Sequence, residues 1–96
     1  MKYCFEPHAQ QELRDAVAYY DSLSLPLGHA FLREVERVIS LLRNFPEAWP
    51  ELSPSTRRCR TRRFPYGVVY RIKEGEIEIV AVMHLHRDPN YWVDRL

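Results

Sequence analysis

YGVVYRIKEGEIEIVAVMHL, residues 66–85, decides the fold. Tyr66, Val68, Tyr70 and Ile72 alternate with Gly67, Val69, Arg71 and Lys73, a period of two that sends successive side chains to opposite faces of a strand. The run from Ile77 to Leu85 is β-branched and apolar, as a buried strand requires. Glu74-Gly75 between them reads as a tight turn, with Gly75 supplying a positive φ. An antiparallel hairpin is therefore expected at the carboxyl-terminal end of the chain.

Upstream, TRRCRTRRF (residues 56–64) also alternates and leads into Phe64-Pro65, so it is read as a third strand beside the hairpin. Nearer the amino terminus the period lengthens. Ala9, Leu13, Ala16, Val17 and Tyr20 recur at helical spacing, predicting a helix over 7–22 with Pro7 tolerated in its first turn. DSLSLP then reads as a connection. Leu27, Phe31, Val35, Val38 and Leu42 mark a second, longer helix, widened by Leu32, Ile39 and Leu41 and ended by Phe45-Pro46. A short connection between two such helices implies an antiparallel pair. Residues 2–5 read as a short first strand. PEAWPELSPS, with Pro46, Pro50 and Pro54, reads as an irregular crossing with Trp49 packed beneath it, and DPNYWVDRL as a tail adding one helical turn. The expected fold is α+β, ordered β-α-α-β-β-β, with a helical hairpin on one face of a small, mainly antiparallel sheet in a single domain over 1–96.

Composition narrows the function. The 96 residues are 46% hydrophobic and 28% charged, as in an ordinary globular domain. The amino terminus, MKYCFEP, lacks the apolar run of a secretory signal, and no segment approaches the roughly 20 apolar residues that span a bilayer, so a cytoplasmic protein without membrane association is expected. Cys4 and Cys59 are then expected as small, buried, reduced residues. The three glycines, 28, 67 and 75, are too scattered for a phosphate-binding loop, a nucleophile elbow or a dinucleotide fingerprint. No cofactor is expected.

The formal net charge of +1 hides a segregation. Residues 1–56 carry five basic and eight acidic side chains (−3), and residues 57–96 carry nine and five (+4). Five arginines fall between 57 and 63. Placing Cys59 and Thr61 toward the core turns Arg58, Arg60 and Arg62 outward in a row at roughly 7 Å spacing, close to the separation of phosphates along one nucleic-acid strand. The blander reading is an edge strand whose arginines prevent aggregation or pair with Glu74, Glu76 and Glu78. A second polar group gathers after the apolar strand: His84, His86, Arg87, Asp88 and Tyr91. His84 and His86 share a face if the strand persists, but no third ligand is evident, so no metal site is expected. Histidine or tyrosine could supply the base and the acid for attack of an RNA 2′-hydroxyl on its phosphate, and arginine the cation for the developing charge. A neutral, hydrogen-bonded histidine at a strand end is the structural alternative.

The order of elements, with RRFPYGVVYRI and AVMHLHRDPNYW as its most telling pieces, resembles the RelE/ParE superfamily of toxins from type II toxin-antitoxin (plasmid stabilisation) modules over essentially the whole chain. The resemblance implies a growth-arresting protein neutralised by a cognate antitoxin, with operator DNA reached only through that antitoxin. RelE-like members are ribosome-dependent mRNA endonucleases, or mRNA interferases. Carried over, Arg58 and Arg60 match their paired basic residues, Arg87 a basic residue after the last strand, and Tyr91 lies near the tail tyrosine, which makes His86, Arg87 and Tyr91 the catalytic candidates if the chain is an enzyme. Where that pattern has an arginine this chain has Gly67, a lost phosphate-directed cation that weighs against efficient RNA cleavage unless Arg71 or His86 substitutes. ParE-like members inhibit DNA gyrase, and the helical hairpin with its VxHxxRD ending resembles this branch more. The resemblance then makes Arg58, Arg60, Arg62, Arg71 and His84 a binding surface for target, RNA or antitoxin. A third reading is an inactive member that binds its antitoxin as a co-repressor.

Overall fold

A computed structural model describes all 96 residues. The chain runs β1 (Tyr3–Phe5), α1 (Pro7–Leu23), α2 (Leu25–Asn44), β2 (Glu51–Ser53), β3 (Thr56–Arg60), β4 (Tyr66–Lys73), β5 (Glu76–His84) and a 3-10 turn (Val93–Arg95). The strands form one sheet in the order β1-β5-β4-β3-β2, with β1 parallel to β5 and every other neighbour antiparallel. This is the expected α+β architecture. No helix is long and apolar enough to cross a membrane.

Each helix begins where a side chain satisfies its first free N–H groups. The Glu6 carboxylate accepts from Ala9 N at 3.0 Å and Pro7 follows in the first turn, where its missing N–H costs nothing. Ser24 serves both helices: its N–H donates to Tyr20 O at 3.0 Å, closing α1, and its Oγ accepts from Leu27 N at 3.2 Å, opening α2. The connection is thus one residue rather than all of DSLSLP. Gly28 permits this sharp reversal, since a Cβ there would lie 1.7 Å from Asp21 Oδ1. At the far end Phe45 N donates to Leu41 O at 2.8 Å, and Pro46 cannot continue the helix.

The helical pair packs on one sheet face. Tyr20, Phe31 and Phe64 form its aromatic centre, with ring centroids 5.0–5.1 Å apart, and Val35, Val38, Leu42, Val68, Tyr70, Ile77 and Ile79 extend it. The Tyr70 hydroxyl donates to Pro46 O at 2.6 Å, tying the crossing to the core, and burial pushes its pKa up to about 12. Glu74 and Gly75 both take positive φ, 54° and 75°, as a two-residue turn between antiparallel strands demands.

Further features depart from the sequence reading. The crossing is not wholly irregular: Glu51 and Ser53 pair with Arg57 and Thr56, adding β2 as a three-residue edge strand. Flanking prolines at 50 and 54 left it too short for a periodic signal, although Pro is tolerated beside an edge strand. The sheet also has a second buried layer. A register shift opposite Val69 and Tyr70 leaves Val80 unmatched, so Val80 and Ala81 both join Val69, Met83 and Trp92 on the face away from the helices. Trp92, from the tail, is 1% exposed there. Both cysteines are free, but Cys4 is exposed and only Cys59 is buried.

Candidate functional site

The polar residues of the sequence fall into separate places. β1 accompanies β5 only along Ile77–Ile79, and beyond it side chains complete the edge. Glu12, on α1, accepts from Val82 N at 3.1 Å, and Arg95 donates to Val80 O at 3.1 Å and to Glu12 at 2.8 Å. Tyr91 donates its hydroxyl to the other Glu12 oxygen at 2.5 Å. Arg87 stacks 3.7 Å above the Tyr91 ring and stands 3.7 Å from Glu12. Burial, reinforced by the bond to Glu12, raises Tyr91 well above the ordinary phenol pKa. At neutral pH it is a phenol whose proton is committed to a carboxylate.

The histidines sit beside this cluster. His84 ends β5, its ring 5.2 Å from Tyr66 and 5.1 Å from His86. His86 lies in the following turn and its N–H donates to His84 Nδ1 at 3.1 Å. A cleft of about 200 Å³ holds His84 and Arg87, and Glu12 and Asp15 line it too. Arg87 is the one arginine there beside two carboxylates, so the cleft has no excess of positive charge to draw in a phosphodiester. No group of three or more His, Cys, Asp or Glu side chains comes together as a metal site requires. Arg71 is paired across the hairpin with Glu78 at 2.7 Å.

Arg58 and Arg60 lie elsewhere, on β3, opposite Val69 and Gly67 and on the sheet face away from the helices. Neither is ion-paired. They border an open groove of about 430 Å³ with Trp49, Pro50 and Leu52. Burial, with Arg60 as a like-charged neighbour, lowers the Arg58 pKa from its usual value, so a bound carboxylate would relieve an unfavourable charge. Gly67 is part of this arrangement: a Cβ there would come within 2.9 Å of Arg58 Cδ and 3.3 Å of Leu85 Cδ2. The stem of Arg58 fills the space that a side chain at 67 would use. Arg57 is occupied, donating to Glu47 O, Trp49 O and the Glu51 carboxylate and so holding the crossing in place.

Arg62 does not extend the row. β3 ends at Arg60, and the chain bends so that Arg62 N–H donates to the Glu34 carboxylate on α2. Thr61, expected to continue the strand, instead donates its hydroxyl to Phe64 O at 2.9 Å and accordingly sits at the bend. The structure thus brings His84, His86, Arg87 and Tyr91 together, keeps Arg58 and Arg60 as a pair, and puts Arg62 and Arg71 apart from both. Sequence reasoning missed Glu12 and Arg95, which organise the first cluster, and the apolar side of the groove. Trp49, Pro50 and Leu52 carried only the signal of an irregular crossing.

No curated protein matches the chain. A solved structure described as the chromosomal ParDE TA system from P. aeruginosa is similar, with a TM-score of 0.66 at 20% identity over 90% of this chain and 97% of that one. That likeness supports the fold. Residues 3–89 match the family described as "ParE toxin of type II toxin-antitoxin system, parDE". With nearly the whole length matched, and with helices, sheet and tail arranged as described, the chain belongs to the ParE toxin family of type II toxin-antitoxin systems.

Proposed function

We propose that this toxin arrests growth by inhibiting DNA gyrase through protein contacts, without cleaving RNA, and that a cognate antitoxin holds it inactive in the cytoplasm. The observation that carries the reading is the state of the nuclease candidates. Tyr91 donates its hydroxyl hydrogen bond to Glu12, Arg87 stacks on Tyr91, and Arg71 is paired with Glu78. Arg58 and Arg60 border a groove that includes none of these groups. A phosphodiester would need a base, an acid and a cation around one phosphorus atom, and Tyr91, Arg87 and Arg71 are instead engaged within the chain.

The groove beside β3 suits the antitoxin. Trp49, Pro50 and Leu52 offer apolar anchors beside two unpaired guanidinium groups, which fits an acidic amphipathic segment that orders on binding. The test uses two purified assays. The chain should inhibit gyrase supercoiling and leave ribosome-bound mRNA uncut. Ribosome-dependent cleavage that disappears in Arg87→Ala, with gyrase unaffected, would reject the proposal in favour of the endonuclease reading.

A further inference from the structure

The bend that removes Arg62 from the row builds a second basic surface. Arg62 and Arg63 meet Arg33 and Arg37 of α2 around a recess of about 250 Å³, in which Glu34 is the one acid. Four arginines and one glutamate give +3, in a chain whose total is +1. Glu34 is already engaged. Arg37 grips it with two hydrogen bonds of 2.8 Å, and the third comes from Arg62 N–H. Arg33, Arg62 and Arg63 are left without ion pairs.

The surface is held in shape. Glu34 anchors the bend to α2, and Thr61 closes it through Phe64 O and Tyr66 O at 2.9 and 3.1 Å. Arg63 adopts φ 69°, a left-handed conformation that glycine or asparagine would take more readily. The turn thus imposes this conformation on Arg63 and leaves its side chain exposed.

We infer that this corner binds the phosphate backbone of duplex nucleic acid, with Arg33, Arg62 and Arg63 each reaching a phosphate. The chemistry of the recess selects that ligand. Its apolar lining is only Ala30 and the buried Phe64, so it lacks the exposed anchor that a protein partner uses, in contrast to the Trp49–Leu52 groove. It also lacks an exposed aromatic on which unpaired bases could stack. What remains is a set of exposed guanidinium forks carried on an anchored turn and on α2, suited to phosphate oxygens and indifferent to sequence. The inference is independent of which macromolecule the toxin poisons.

Fluorescence anisotropy of a labelled duplex of about 20 base pairs, titrated with the full chain at about 50 to 200 mM salt, tests it. Three phosphate contacts predict a log–log salt slope of about −2.7, at about −0.9 per contact. Arg33→Ala/Arg62→Ala/Arg63→Ala should remove most of that slope, whereas Arg58→Ala/Arg60→Ala should retain it. Arg63→Gly serves if the triple variant folds poorly, because glycine suits the left-handed φ; it should keep its melting temperature and lose about one unit of slope. Absence of duplex binding at the lowest salt, or a triple variant that binds like the parent, overturns the inference. Preferential binding of a glutamate-rich peptide, lost in the same variants, would also overturn it and reassign the corner to an acidic protein.

Discussion

The outer edge of β5 and the open face of β3 both carry arginine beside aromatic residues, and they put them to opposite uses. Along β5, Arg95 and Glu12 stand in for a missing strand, Tyr91 and Arg87 close over Glu12, and Trp92 seals the face behind. Tyr91 and Arg95 have acceptors in the same chain, Arg87 is held by the Tyr91 ring and by Glu12 at 3.7 Å, and the buried Trp92 indole N–H is without a partner. On β3, Arg58 and Arg60 have no carboxylate, and Trp49, Pro50 and Leu52 line an open groove beside them. A saturated cluster holds the fold together, and an unsaturated one is available to a partner. Residue type alone does not separate the two roles; partnership does.

The comparison breaks if the β5 edge tolerates truncation. Trp92→Ala should destabilise by about 3–5 kcal/mol, the usual cost of emptying a buried tryptophan site. In a chain of 96 residues that lowers the melting temperature by roughly 12 °C or more, which a thermal melt by circular dichroism will read. Glu12→Ala should cost about 3 kcal/mol by leaving Val82 N–H without its acceptor and the Arg95 guanidinium without its hydrogen-bonded carboxylate. A change below about 0.5 kcal/mol in either variant would place them among ordinary surface substitutions and remove the structural role.

Variants of β3 sharpen the contrast from the other side. Arg58→Glu/Arg60→Glu should move stability by less than about 1 kcal/mol, as neither side chain has a partner to lose. It should weaken antitoxin binding by about tenfold or more, and the affinity that remains should depend less on salt. Equal affinity across a salt series would show that the groove is not the antitoxin site. Gly67→Ala is a gentler version. Its new methyl displaces the flexible stem of Arg58, so stability should change by under about 1 kcal/mol while antitoxin dissociation quickens.

The smallest effect concerns pH. Arg37 beside Glu34 holds the carboxyl below its ordinary value, with the Arg62 N–H adding to this. The folded pKa therefore lies under the unfolded one of about 4.3. Its contribution is present above that value and is lost as pH falls through the folded pKa. Glu34→Gln should accordingly lower the melting temperature slightly at neutral pH and flatten its decline below about pH 4. A parallel decline in both proteins would mean that Glu34 is not coupled to folding.

Much of the fold was legible because it rests on local periodicity. The alternation of Tyr66–Lys73, the Glu74-Gly75 turn and the helical spacing of Ala9–Tyr20 and Leu27–Leu42 correspond to the elements observed. What escaped depends on contacts far apart in sequence. Ser24 acting for both helices could not be told from a longer connection, and β2 exists because β3 lies beside it. Arg62 fell outside the expected row because Glu34, 28 positions earlier, receives its N–H. The site was less legible still. Glu12 is an unremarkable helix residue until Tyr91 and Arg95, 79 and 83 positions away, close on it. Arginine alternation along 56–64 correctly suggested a strand, but the division of its side chains among a crossing, a groove and a bend is a tertiary property.

The most direct test of the central claim, that this toxin acts through protein contacts and not as a nuclease, is to induce the chain alone in a bacterium and follow pulse-labelled DNA and protein synthesis through the first minutes. DNA synthesis should fall first, accompanied by a DNA-damage response, while protein synthesis continues. An immediate fall in protein synthesis with cleaved mRNA, and DNA synthesis sustained, would contradict the account.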